Sequence, residues 1–225
     1  MEETNLFPLF LSLRVALTAT LFALLIGIPI AYYLNRSNGR LADIIDTLIT
    51  LPVVLPPTVL GYYLLVLLGR QSSIGQFLEE RFDITIVFTP TGAIIAALVV
   101  SIPFLIKSAR SAFAGIDPAL LNAARVLGRT EFNIFITIIL PLAWRGIAAG
   151  ITLAFARALG DFGATLMVAG SIPNETMTMP IAIYDALLAG NRELANLLVM
   201  IMSAVSLSML YLINRLEKRV TKRNR

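Results

Sequence analysis

The sequence has no cysteine and no histidine among its 225 residues, and only 14% of them are charged. Lacking cysteine, it forms no disulfide and offers no thiolate to a metal; lacking histidine, it has no imidazole for proton transfer or metal binding. Lysine is confined to Lys107, Lys218 and Lys222, none of which follows a glycine. The Gly-Lys pair that holds nucleotide phosphates in a P-loop is therefore absent, and this chain cannot hydrolyse ATP by that route. No paired carboxylates stand at catalytic spacing. An enzyme is disfavoured, no bound cofactor or metal is expected, and any energy-driven process must draw on a partner.

What fills the chain instead is apolar residues, 57% of the total, with a mean hydropathy of +0.82. A soluble domain carries roughly 25% charged residues, so this composition defines an integral membrane protein. A spanning helix needs about 20 apolar residues. Charge-free stretches of that length occur at 15–35, 47–69, 84–106 and 194–214, and a fifth, mostly apolar stretch at 145–168 encloses Arg157 and Asp161. The first run is too long for the core of a removable signal peptide and is read as a retained helix.

Basic residues set the orientation, because cytoplasmic loops retain Lys and Arg. Arg36 and Arg40 follow the first span; Lys107, Arg110, Arg125 and Arg129 lie between the third and fourth; Arg215, Lys218, Arg219, Lys222, Arg223 and Arg225 form the tail. Glu2, Glu3 and the loop with Glu79, Glu80 and Asp83 fall on the other side. Five crossings follow, with the N-terminus outside and the C-terminus in the cytoplasm. This topology accounts for a pI near 9.7: the tail anchors on anionic lipid, and nucleic-acid binding is disfavoured.

No repeat or linker divides residues 1–225, which read as one domain. Gly27 and Pro29 predict a bend in the first span, and Pro52, Pro56 and Pro57 a stronger break in the second. A proline removes a helix hydrogen bond, and membranes tolerate this where neighbouring helices or water satisfy the freed carbonyl. The third span is expected to end at Pro103 and Lys107.

Between the third and fourth spans, residues 117–141 form a polar amphipathic segment. Asp117 suits an N-cap and Pro118 a first helical position. Ala119, Leu120, Ala123, Ala124 and Leu127 recur at helical spacing, and Gly128 is placed to end the helix. Small residues rimmed by Arg125 and Arg129 can enter a groove in a soluble partner. Asn122, Ala123, Ala124, Gly128 and then Ile139-Leu140-Pro141 follow the spacing of the cytoplasmic Glu-Ala-Ala loop of ABC importer permeases, which docks an ATPase subunit. Here Asn122 replaces the leading Glu of that pattern.

Two further blocks narrow the likeness. LPVVLPPTVLGYYLLVLLGR at 51–70 and AFARALGDFGATLMVAGSIPNETMTMPIAIYDAL at 154–187 resemble the molybdate importer permease family, whose relatives also carry tungstate or sulfate. The resemblance covers nearly the whole chain. It implies an all-α ABC importer permease with a cytoplasmic coupling helix, paired as a homodimer, docked on two ATPase subunits that use ATP and magnesium, and fed by an external oxyanion-binding protein. Docking is expected of Asp117, Asn122, Ala123, Ala124, Arg125, Gly128 and Arg129.

Arg157 and Asp161 stand four apart, where opposite charges meet on one helix face. The pair serves either as a structural bridge or as a gate element, since intramembrane charges are costly and turn away from lipid. Gly160 and Gly163 around Phe162, followed by Ala164 and Thr165, suggest a small-residue face that meets a second copy. Thr58, Ser101 and Thr165 are candidate hydroxyls along an anion pathway, although such groups commonly bond back to their own helix. The loop 171–180 and a short helix at 181–188 are expected to close the external mouth. The competing classes are a secondary transporter or channel, which would work without ATP, and a structural subunit, which would have no use for a docking segment.

Overall fold

The most deeply packed helix in the computed structural model is α5 (Pro90–Ala114). The structure describes residues 6–37 and 39–223. Thr89 caps α5 by accepting from the Gly92 N–H, and Pro90 occupies its first turn. A line of small residues, Gly92, Ala93, Ala96, Ala97 and Ala109, lets three helices approach it closely. Of its most apolar window, 56% is buried, against 6% for the peripheral α11 (Arg192–Arg223). α5 is thus the protein core, and α11 presents its apolar surface outward.

α1 (Phe7–Arg36) runs parallel to α5 along its full length. At one end Leu11, Val15, Ala16 and Ala19 meet Ala93 and Ala97; at the other Ala31 and Leu34 meet Ile106, Ala109 and Phe113. Pro29 is accommodated without interrupting the helix. The stretch expected as the second span is broken: between α2 (Arg40–Val54) and α3 (Pro57–Leu68) the chain bends by 118°. Two consecutive prolines, Pro56 and Pro57, remove two donors, and Leu55 before them is extended at ψ 140°. α4 (Ser73–Phe82), capped by Ser72 on Gly75, lies between α3 and α5 in the chain.

Beyond α5 the chain forms α6 (Pro118–Val126) and α7 (Glu131–Ile134), then a π-helical stretch, Phe135–Ile139, that leads into α8 (Leu140–Leu159). α8 packs on α5 where Gly146 faces Ala112 and Gly150 faces Ser108 and Leu105. After it come the short α9 (Gly163–Ala169), α10 (Met179–Leu188) and α11.

Among the described residues four helices are long and apolar enough to span, and the bent α2–α3 pair meets the same test when its two halves are taken together. Two boundaries differ from the sequence expectation. α5 continues through Pro103 to Ala114, its last turns packed into the core through Ile106, Ala109 and Phe113, while Lys107 and Arg110 pair with Asp46 at 2.6 and 3.1 Å. The fourth span runs Glu131–Leu159 rather than 145–168, so Asp161 lies past its end. Ion pairs gather Arg36, Asp46, Lys107, Arg110, Arg125 and Glu131 at one end of the bundle, while Arg70 and Glu79 pair at the other. That segregation agrees with the side assigned from charge. Glu2 and Glu3 lie outside the described residues, as do the side chains of Lys218, Arg219, Lys222 and Arg223 and the whole of Arg225.

Candidate functional site

α6 starts and stops where its residue types require. The Asp117 carboxylate accepts from the Ala119 N–H at 2.8 Å, with Pro118 next. At the other end Gly128 takes φ +78°, where its N–H donates to Arg125 O and the Arg129 N–H to Ala124 O. These paired bonds are a Schellman closure, which uses glycine because a Cβ strains that backbone. Of the two alanines, Ala124 is buried against the Ala31, Leu34 and Phe113 cluster and Ala123 faces out. The surface beside them is apolar and bare: Val126, Leu127 and Phe132 are 88%, 81% and 76% exposed. Placed at the charged end of the bundle, that surface is suited to cover by another protein.

The arginines are less free than a rim role requires. Arg125 Nε donates to Glu131 Oε1 at 2.6 Å and its Nη1 to Asn122 Oδ1 at 2.7 Å. The bond to Glu131 holds the Arg125 guanidinium above its ordinary pKa, so it stays cationic at any accessible pH. Arg129 donates to Asn133 Oδ1 at 2.9 Å. Glu131 Oε2 also accepts from Arg36 of α1 at 2.5 Å. Sequence reading missed Glu131 and Arg36 because their partnership joins positions far apart in the chain. The π-helical stretch has a local cause: Pro141 cannot donate in the α-helical register, and the Leu140 N–H reaches back five residues to Phe135 O.

The second cluster surrounds the break after α8. Gly160 caps α8, and Asp161, buried to a side-chain exposure of 1%, stands in the turn that follows. Its Oδ1 accepts from Arg157 at 3.1 Å, and its Oδ2 accepts from both the Thr165 N–H at 2.9 Å and the Thr165 hydroxyl at 2.8 Å. Asp161 therefore joins the last turn of one helix to the first turn of the next, a different arrangement from a pair on one continuous face.

Gly163 lies against Pro57 and Thr58, and Gly61 against Met167 and Ala164, so these small residues pack on α3 within the chain. Phe162 is half-buried against Tyr184 of α10, with ring centroids 5.0 Å apart. The loop beyond α9 is tied down: Ser171 donates to Asp185, Thr176 accepts from the Ile172 N–H, and the Met179 N–H donates to Ser12 of α1 at 2.8 Å. Solvation alone does not describe it.

Of the candidate hydroxyls, Ser101 is wholly buried and bonds Leu98 O in its own helix, Thr165 is held by Asp161, and Thr58 is exposed beside Gly163. Neither Ser101 nor Thr165 offers a surface to an anion in this conformation. A cleft of about 670 Å3 opens elsewhere, between α2, α5 and α8, lined by Thr50, Lys107, Ser108 and Ser111 among apolar residues. Its hydroxyls lie on helix faces whose outward direction the sequence does not reveal.

The chain is thus a bundle with one broken apolar pair, a short capped helix at its charged end and a discontinuous helix around a buried charge. The chain belongs to the family described as binding-protein-dependent transport system inner membrane component, which matches residues 23–222. It is 46% identical over 174 residues to the molybdenum transport system permease protein ModB of Escherichia coli (strain K12), covering 77% of this chain and 76% of that one. It is 39% identical over 214 residues to ModB of Haemophilus influenzae, covering 95% and 93%. The fold matches the inward-facing MetNI methionine ABC transporter with a TM-score of 0.75 at 18% identity, over 98% of this chain and 99% of that one.

Proposed function

We propose that this chain is the permease subunit of an ATP-driven importer that carries molybdate from an external binding protein to the cytoplasm. The observation that carries the docking half of this reading is α6: a helix capped at both ends, with bare apolar residues beside its glycine stop. The cargo rests on the identity to molybdenum permeases over most of the chain. The working unit is a homodimer with a pathway along the twofold axis, docked on two ATPase subunits that use ATP and magnesium; this chain binds neither.

Nucleotide binding draws the ATPases together. Each coupling helix follows its ATPase, and the spans beyond it move as a body, opening the external side to the binding protein; hydrolysis restores the inward-facing state. Such alternation requires contacts that differ between the two states. The break at Asp161 and the bend at Pro56, packed on each other through Gly163, are the elements suited to change. The cleft between α2, α5 and α8, with Ser111 on its wall, is the exit for the anion; Thr50 and Ser108 there donate to Asp46 O and Gly146 O, and Lys107 pairs with Asp46.

The test is uptake of labelled molybdate into vesicles holding this chain with its ATPase and binding protein, with tungstate and sulfate as competitors, comparing wild type with Gly128→Asp. ATP-dependent uptake in wild type, lost in the variant together with ATPase co-purification, supports the reading. Uptake that persists without ATP refutes it, and an ATP-driven preference for sulfate changes the cargo alone.

A further inference from the structure

The coupling helix is fastened to the first span as well as to the helices that flank it in the chain. Two guanidinium groups share one carboxylate: Arg125 of α6 donates Nε to Glu131 Oε1 at 2.6 Å and Nη2 to Oε2 at 3.4 Å, and Arg36 of α1 donates to Oε2 at 2.5 Å. From Arg36 the contacts continue inward. Its Nη1 reaches the Tyr32 hydroxyl at 2.5 Å, and the guanidinium carbon lies 5.4 Å from the centroid of that ring. The Tyr32 ring packs at 4.6 Å on Phe135 of the π-helical stretch and at 6.1 Å on Phe113 of α5. On the other side, Arg125 also holds Asn122, the residue standing where an acidic one is usual.

We infer that Glu131 is a positioning residue which clasps the coupling helix to α1, so that α1 moves with α5 and α8 during the transport cycle; this rests on the importer reading above. Three observations converge. The acidic group absent at Asn122 is supplied by Glu131, on the far side of the glycine stop, and it meets the same Arg125. The carboxylate stands at the junction of α6, α7 and α1, where a single group reaches all three. α1 is packed along the whole of α5, so a pull on its cytoplasmic end is carried into the core. The three side chains are 39% to 47% exposed, open to water and able to separate. A clasp of this kind couples two elements without contributing much to global stability.

The absence of native cysteine allows a direct test with two introduced ones. Spin labels at Tyr33→Cys on α1 and Ala119→Cys on α6 report the separation of the two helices in the assembled transporter, without nucleotide and with ATP trapped. The expected result is one unchanged distance in both states, and a distance that shifts or broadens with ATP once Glu131→Gln is added. The second readout is anion carried per ATP hydrolysed. Glu131→Gln and Arg36→Gln are expected to lower this ratio about two- to fivefold, the factor set by an exposed ion pair, while the ATPase still co-purifies and turns over. Arg36→Lys, which keeps the charge, is expected to restore part of it. A distance that changes with ATP equally in wild type and variant, or a ratio unaltered by Glu131→Gln, overturns the clasp. Loss of ATP-driven uptake in the wild type would instead overturn the importer reading itself.

Discussion

Replacing Asp161 in two ways separates its roles as cap and as ion-pair partner. In Asp161→Asn the amide oxygen can occupy the Oδ2 position and keep both bonds from Thr165, losing only the ion pair with Arg157 at 3.1 Å. Arg157 is 28% exposed and retains access to solvent. The cost is therefore set in the lower part of the range for a bond to a charged group, about 1 to 2 kcal/mol. Asp161→Ala removes everything: the ion pair, the acceptor for a buried N–H and the acceptor for a buried hydroxyl. Breaking a buried pair in this way costs about 3 to 5 kcal/mol, a difference of about 2 to 3 kcal/mol between the variants. At roughly 2 to 4 °C per kcal/mol for a chain of this size, the alanine variant melts roughly 4 to 12 °C below the asparagine one. The assay is thermal unfolding of the purified protein in detergent, with Arg157→Gln expected to match Asp161→Asn. Equal melting of the Asn and Ala variants would refute the cap and leave the ion pair as the dominant interaction.

Three other outcomes are expected. Gly146→Ala places a Cβ 2.4 Å from that of Ala112, forcing α5 and α8 apart at about 1 to 3 kcal/mol; adding Ala112→Gly recovers part of the lost melting temperature. Ser12→Ala strips the buried Met179 N–H of its acceptor, costing about 1 to 3 kcal/mol and speeding hydrogen exchange at Met179. Gly128→Ala meets no neighbour within 4 Å, so its cost is the left-handed backbone alone, about 1 to 2 kcal/mol; it is expected to fray α6 and weaken ATPase co-purification.

The coupling segment was legible because its signals are local. An Asp-Pro start, apolar positions at helical spacing and a glycine stop each act within a turn, so Asp117, Pro118 and Gly128 could be placed from neighbours alone, and the structure has each in the expected role. The break at Pro56 and Pro57 belongs to the same category, although its angle does not. The fourth span was less legible because hydropathy does not register a helix end: residues 145–168 read as one apolar run, yet Gly160 caps α8 and Asp161 turns back to hold Thr165. The small residues after it were visible, but not the surface they meet, which is α3 of the same chain.

The sequence by itself determined the membrane class, most of the spans and the start and stop of α6, since each depends on composition or on contacts within a few residues. Tertiary structure alone decided which groups are used. It gave Asp46 to Lys107 and Arg110, buried Ser101, opened the cleft beside Thr50 and Ser111, and set Glu131 between Arg36 and Arg125. A side chain's direction around a helix depends on what packs against that helix, and an ion pair between distant positions depends on how whole spans are arranged. Neither is encoded in local spacing.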